Sequence, residues 1–274
     1  MNMPFGPGSA TWQIDLEPSV IIGGGRALLM QVAHPSVAAG VTHHSDYVTD
    51  PYGRLFGTLD VMMKMLFGQP DVSALQREVL SDRHRQVRGA TAQGTPYRAS
   101  DPELLLWVWA TLVDTALLVY DTVFGTVPDD IRRRFYLEQR LLAHGCGVPD
   151  DVCPPDLEAF RAYVESTIAT ELDVTPAART IAATVLAPPL PVWLVGAAPL
   201  NRLITTALLP VRLREAYGLP WDRPREVTSR VVFDALGGGL RLVPRSIRQR
   251  PLLAMARAEP VRPPAFLRRA VPHG

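Results

Sequence analysis

Residues 101–125 read DPELLLWVWATLVDTALLVYDTVFG. Asp101 before Pro102 and Glu103 is a helix start, with an aspartate cap, a proline where no N–H is needed and an acid in the first turn. The apolar run passes through Trp107 and Leu118 to about Phe124, where Gly125 ends it. The stretch is far longer than a strand and reads as the most hydrophobic helix of the chain.

Working outward, the same punctuation recurs. Asp50-Pro51 predicts a helix to Phe67 that stops at Gly68, with Pro70 beyond. Ser73 and Gln76, three apart, read as a capping box for a third helix that continues to Arg88 and ends at Gly89. After the Gly23-Gly24-Gly25 turn, Arg26 to about Val41 reads as helical with a break at His34-Pro35. Further helices are expected at Pro128–His144, Asp156–Thr170, Pro176–Ala187, Leu200–Tyr217, Arg223–Leu236 and Arg245–Arg257. Almost no run alternates at period two, so strands are not expected. The fold class is therefore all-α, a single globular multi-helix domain over residues 1–240 with a basic, proline-containing tail over 241–274.

The composition fits that picture. Of 274 residues, 47% are hydrophobic and 20% charged, which suits one large core rather than disorder. Lys+Arg 28 against Asp+Glu 27 leaves a net charge of +1, so nucleic acid is not an expected partner. From Arg241 onward there are eight arginines and one acid, Glu259. Such a tail suits a solvated terminus or a homo-oligomer contact, and less often an acidic partner or membrane surface. Cys146 and Cys153 are too few for a disulfide framework. The N-terminus has no signal-peptide pattern, and the apolar stretch Leu186–Pro210 is interrupted by five prolines. No transmembrane segment is expected, and the expected location is the cytoplasm.

Four of the six histidines, His34, His43, His44 and His84, fall in the first third, among Asp46, Asp50 and Arg54. His84 shares a helical stripe with Leu80 and Val87, which points it at packed surface. A neutral imidazole there can ligate a haem iron, or it can be a core histidine bonded to a carbonyl. Arg54 and Thr58, four apart, lie on a stripe continued by Val61 and Met65. They can orient an oxygen species or a propionate; alternatively Arg54 pairs with a neighbouring acid. His43-His44 with Asp46 and Asp50 makes a poor non-haem metal set, because adjacent side chains diverge. The glycine turn lacks G-x-G-x-x-G, and no G-x-S-x-G occurs.

The stretches GGGRALLMQVAHPSVAAGVTHHSDYVTDPYGRLFGT, DRHRQVRG and YRASDPELLLWVWATLVDT together resemble the catalytic domain of rubber oxygenase (latex-clearing protein) and the MpaB-type oxygenases. LNRLITTALLP and LREAYGLPW resemble its actinobacterial branch, so the likeness spans about Gly23 to Trp221. That resemblance implies an all-helical fold around haem b, with dioxygen reacting at a small apolar, in some cases unsaturated, substrate. It casts His84 as the iron ligand and Arg54 and Thr58 as the pair on the opposite haem face. Two positions depart from the family. Gly57 stands where rubber oxygenase has a lysine able to occupy the distal position, so that side chain cannot close the site here. Trp109 stands where the family has histidine in W-V-H-A-T-L; it cannot ligate iron or transfer a proton but could stack on a flat ligand such as the cofactor, or narrow the pocket. Phe56, Met62 and Met65 are further candidate pocket walls. The rival expectations are a haem-binding carrier or sensor without turnover, and a cofactor-free helical ligand-binding protein.

Overall fold

The computed structural model describes residues 5–47, 49–189, 191, 196–257, 264 and 267. The chain begins with α1 (Ala10–Asp15) and a 3-10 turn (Pro18–Gly23), followed by α2 (Gly24–Val32) and α3 (Pro35–His44). The hairpin of α4 (Pro51–Phe67) and α5 (Pro70–Gln86) comes next, then β1 (Arg88–Ala90) and β2 (Pro96–Arg98). Next are α6 (Pro102–Phe124), α7 (Asp129–Gly145), α8 (Leu157–Thr170) and α9 (Pro176–Leu186). The last helices are α10 (Ala197–Leu208), α11 (Val211–Ala216), α12 (Arg223–Leu242), α13 (Arg245–Arg248) and α14 (Arg250–Arg257). The expected all-α class is what the structure has.

The caps explain where the helices start. Asp50 accepts the Gly53 N–H, Asp101 that of Glu103, Thr175 that of Ala178, and Asp222 that of Arg225. In three of these the next residue is proline, pre-set for the first turn. Even the His34 break is capped, since its Nδ1 accepts the Ser36 N–H at 3.3 Å.

Helix α6 is the axis of the main core. Among the described residues it is the one helix long and apolar enough to cross a membrane. Its faces are nonetheless taken up by protein: Trp107, Ala110, Val113 and Ala116 join Ile14, Leu29, Met30, Phe135 and Phe160 in one cluster. A helix apolar on all sides is what such a position demands. The glycine turn serves this packing. A Cβ on Gly23 would collide with Thr115 of α6, and one on Gly25 with Thr205 of α10. Arg26 follows directly and donates to Asp114 Oδ2 at 2.6 Å, Thr115 Oγ1 at 2.5 Å and the Leu208 carbonyl at 2.8 Å. A second cluster joins Leu16, Met63, Met65 and Leu66 to Leu142, Leu252 and Ala256.

Several boundaries differ from those expected. Helix α5 starts at Pro70, so Ser73 lies inside it and its hydroxyl serves a different purpose from capping. It ends at Gln86, and Arg88–Ala90 pairs antiparallel with Pro96–Arg98 in a hairpin too short for any periodic signal. Pro210 divides the expected Leu200–Tyr217 helix into α10 and α11. Helix α12 runs straight through Gly237-Gly238-Gly239, because at Gly237 any Cβ would strike the Val123 carbonyl of α6. The glycines allow contact where a break was expected.

The start of the expected tail is also folded. Arg248 donates to Glu17 Oε2 at 2.6 Å and Oε1 at 2.9 Å, and Arg245 to Oε1 at 3.1 Å. Glu17 is wholly buried, so this clamp binds both ends of the described chain together. Helix α14 then packs on α4. Apart from Pro264 and Leu267, the tail beyond Arg257 lies outside the described residues.

Candidate functional site

The candidate residues sit on the α4–α5 hairpin. Gly68 ends α4, Pro70 starts α5, and the two helices pack antiparallel. Their register is set by Ser73, which donates its hydroxyl proton to the Met65 carbonyl oxygen at 2.7 Å. Eleven residues back along α4 from Met65 is Arg54; eleven residues forward along α5 from Ser73 is His84. At 1.5 Å per residue each lies about 16 Å along its own helix from that bond, so antiparallel packing puts them at a similar level. Eleven residues is also three turns to within about 20°, so His84 leaves α5 in nearly the direction taken by Ser73, the residue that reaches α4.

Cover is lost along this hairpin from its turn toward its open end. Ser73 is buried, whereas Leu80 and His84 on the same stripe are partly exposed. On α4, Met65 is 1% exposed, Val61 is intermediate, and Thr58 and Arg54 are exposed. Among the described residues a Cβ at Gly57 would meet nothing within 4 Å. The closed end is core and the other end is an open face.

Burial lowers the His84 pKa below its ordinary value near 6.5, so the ring is neutral at neutral pH. Neither ring nitrogen takes a hydrogen bond among the described residues, unlike the carbonyl-bonded core histidine that was the alternative reading. Arg54 forms no ion pair among the described residues, and its charge acts on the phenol of Tyr47. Burial pushes that phenol up to about 12, with Arg54 opposing. Thr58 donates its hydroxyl proton to the Arg54 carbonyl at 2.9 Å, which leaves it only lone pairs to offer. Arg54 is thus the hydrogen-bond donor of the pair.

Trp109 is not part of this face. It is 7% exposed in the main core, packed on Phe160 and Tyr136 at 5.7 and 6.0 Å between ring centres. Its indole N–H donates to the Gln139 carbonyl at 3.1 Å. Its ring contacts are with α7 and α8. Met65 is core, while Phe56 and Met62 are partly buried on α4.

His43 and His44 hold the β-hairpin. His43 Nδ1 and the Tyr97 hydroxyl share a hydrogen bond of 3.0 Å, and His44 Nε2 donates to the Arg88 carbonyl at 3.2 Å. Both pin the β-hairpin to α3. Among the described residues no three His, Cys, Asp or Glu side chains are grouped to hold a metal ion. Sequence reasoning missed Tyr47 and Ser73. A tyrosine four residues ahead of a capped helix start carries no periodic signal, and a serine three before glutamine imitates a cap.

Comparison with known proteins identifies the family. Uncharacterized proteins of Mycobacterium bovis and Mycobacterium tuberculosis are each 27% identical over 226 residues, covering 79% of this chain and 87% of theirs. No solved structure matches significantly. The model of the family described as "ER-bound oxygenase mpaB/B'/Rubber oxygenase, catalytic domain" matches residues 11–242, which include every helix from α2 to α12. This chain belongs to that family, and what it carries is an oxygenase catalytic domain.

Proposed function

We propose that the chain is a haem b-dependent oxygenase acting with dioxygen on a small, mostly apolar substrate, with the open end of the α4–α5 hairpin as the haem site. The observation that carries this reading is the Ser73–Met65 bond, from which Arg54 and His84 are each eleven residues away on the two helices of that hairpin. The residues present fit the group. A neutral, half-buried imidazole with no hydrogen bond among the described residues has a lone pair to give to iron. An uncovered helix face with no Cβ at Gly57 leaves room for a flat ligand. When bound, haem supplies an iron centre at which dioxygen can react with an organic substrate.

The protein's own part is positional and electrostatic. His84 would hold the iron on the α5 side. Arg54 supplies a permanent cation and up to five donors, for a propionate or for negative charge developing on oxygen. Thr58 stiffens the Arg54 turn through its backbone hydrogen bond. Gly57 leaves the distal side open to a small molecule. Since Trp109 packs into the core, its replacement of the family's histidine bears on packing rather than on this face.

The test is titration of the full chain with haemin, followed by visible spectroscopy and dioxygen uptake with a short alkene. Stoichiometric binding with a Soret band that is lost in His84→Ala, and uptake reduced by at least tenfold in Arg54→Ala, is the expected result. Identical spectra for wild type and His84→Ala would overturn the ligand assignment. The same spectrum with no uptake would instead favour a carrier or sensor.

A further inference from the structure

A cavity of about 110 Å³ lies between the last turn of α3 and the first turns of α9. Val41, Ala177 and Ile181 form its apolar wall, and Ser45 and Tyr47 add a hydroxyl each. The Ser45 Oγ is buried with no hydrogen-bond partner among the described residues. The Tyr47 hydroxyl takes no hydrogen bond among the described residues. The other two hydroxyls at the cavity are spent: Thr42 donates to the Ala38 carbonyl at 2.8 Å and Thr180 to that of Pro176 at 3.2 Å. The wall therefore presents two unused donors two residues apart in an apolar setting. Leaving a buried donor unpaired is costly, so a site that keeps one is suited to a partner that arrives from outside.

We propose that this cavity binds a small neutral molecule with an apolar body and one hydrogen-bond-accepting oxygen, such as a ketone, with Ser45 and Tyr47 as its donors. Size limits the guest: an apolar cavity of about 150 Å³ accepts benzene, which has six heavy atoms, so this smaller one takes no more than that number, as in a five-membered ring with one substituent atom. Charge limits it too. No residue of the wall is ionisable at neutral pH, so a carboxylate would lose its hydration with no cation in return. Tyr47 also feels the charge of Arg54, the cation of the face assigned to haem. Calling the guest the substrate's polar end rests on the oxygenase reading; the binding itself does not.

The experiment uses the full chain, without haem and again after haemin addition, with cyclopentanone as probe and methylenecyclopentane as its oxygen-free isostere. Saturation-transfer NMR should show saturable binding of cyclopentanone, several-fold tighter than the isostere. Ser45→Ala and Tyr47→Phe should each weaken it by about two- to tenfold, the range for one neutral hydrogen bond. Ala177→Leu, which fills the cavity and spares both hydroxyls, should abolish it. Ser45→Ala should also raise the Tm of the unliganded protein, because an unpaired buried hydroxyl is removed; a structural hydroxyl would lower it. No binding by the wild type, or equal binding by Ala177→Leu, overturns the proposal. Failure of haemin to bind leaves these readouts unchanged and falls on the oxygenase reading alone.

Discussion

Ser73 and Met65 are joined across the α4–α5 hairpin by a hydrogen bond of 2.7 Å from hydroxyl to carbonyl, and the same hydroxyl accepts from Arg77 Nη1 at 2.7 Å. This buried contact aligns two helices whose far ends carry Arg54 and His84. Ser73→Ala leaves the Met65 carbonyl without this donor in a dry place, at a cost of about 1–3 kcal/mol. Urea unfolding should show that loss. Haemin retention should fall with it, although the substitution is about 16 Å from His84 along the helix. Unchanged stability in Ser73→Ala would mean that the register is set elsewhere.

The pH response of His84 follows from its lowered pKa. Burial favours the neutral ring in the folded protein, while the unfolded ring keeps a value near 6.5. As pH falls below about 6.5 the unfolded chain takes up a proton first, so stability drops as pH falls through the folded pKa. His34 is lowered by burial as well, with Glu171 and the acids Asp101 and Glu103 opposing, and it adds to the same trend. Unfolding free energies between about pH 5 and 7.5 should therefore slope less in His84→Gln than in the wild type. Parallel curves would show that the ring is not desolvated. Protonation also removes the lone pair needed by iron, so haemin should dissociate in the same window.

Much of the fold was legible because helix starts depend on short-range chemistry. Asp50-Pro51 and Asp101-Pro102 each cap their own next turn, so α4 and α6 begin and end where local reading places them. Gly237-Gly238-Gly239 shows the limit. Its local propensity says break, but the reason for the glycines is the approach of α12 to Val123, a residue more than a hundred positions away. The β-hairpin is similar, held by the register Gly89↔Tyr97 and by His43 on α3. At the site, periodicity and resemblance led to Arg54 and His84 on their own helices. Their common level needed the Ser73–Met65 contact, and Tyr47 and Ser45 needed the packing of α9 against α3. Neither is written in any local pattern.

Trp109 offers a clean separation of core from site. Its N–H is bonded to the Gln139 carbonyl, and its ring lies among Tyr136 and Phe160. Trp109→Phe removes that donor and part of the packing, which should destabilise the protein by about 1–3 kcal/mol. The spectrum of the haemin-loaded protein should stay as in the wild type. A shifted Soret band in Trp109→Phe would place the indole at the cofactor after all.

Asp15 provides a pH dependence of opposite sign. Its carboxyl lies in the interior and accepts from Gln139 Nε2 at 2.8 Å, while the same amide donates to Thr11 Oγ1 at 3.2 Å. Burial pushes its pKa from 3.8 to about 8; the Gln139 hydrogen bond opposes this and the charge of Glu138 adds to it. Glu138 is fixed there because its carboxylate accepts the N–H groups of Ala10 and Thr11 at 3.1 and 2.7 Å, at the start of α1. The folded chain thus keeps a proton that the unfolded chain releases near pH 4. Stability is full below that point and declines as pH rises to about 8, by up to about 1.4 kcal/mol per pH unit. Asp15→Asn keeps the shape and the acceptor without the titrating proton. Its unfolding free energy should match the wild type near pH 4 and exceed it increasingly toward pH 8, whereas His84→Gln alters only the acid side. Curves for Asp15→Asn that run parallel to the wild type from pH 4 to 8 would show that Asp15 is ionised in the folded protein, with water or a cation reaching its carboxylate.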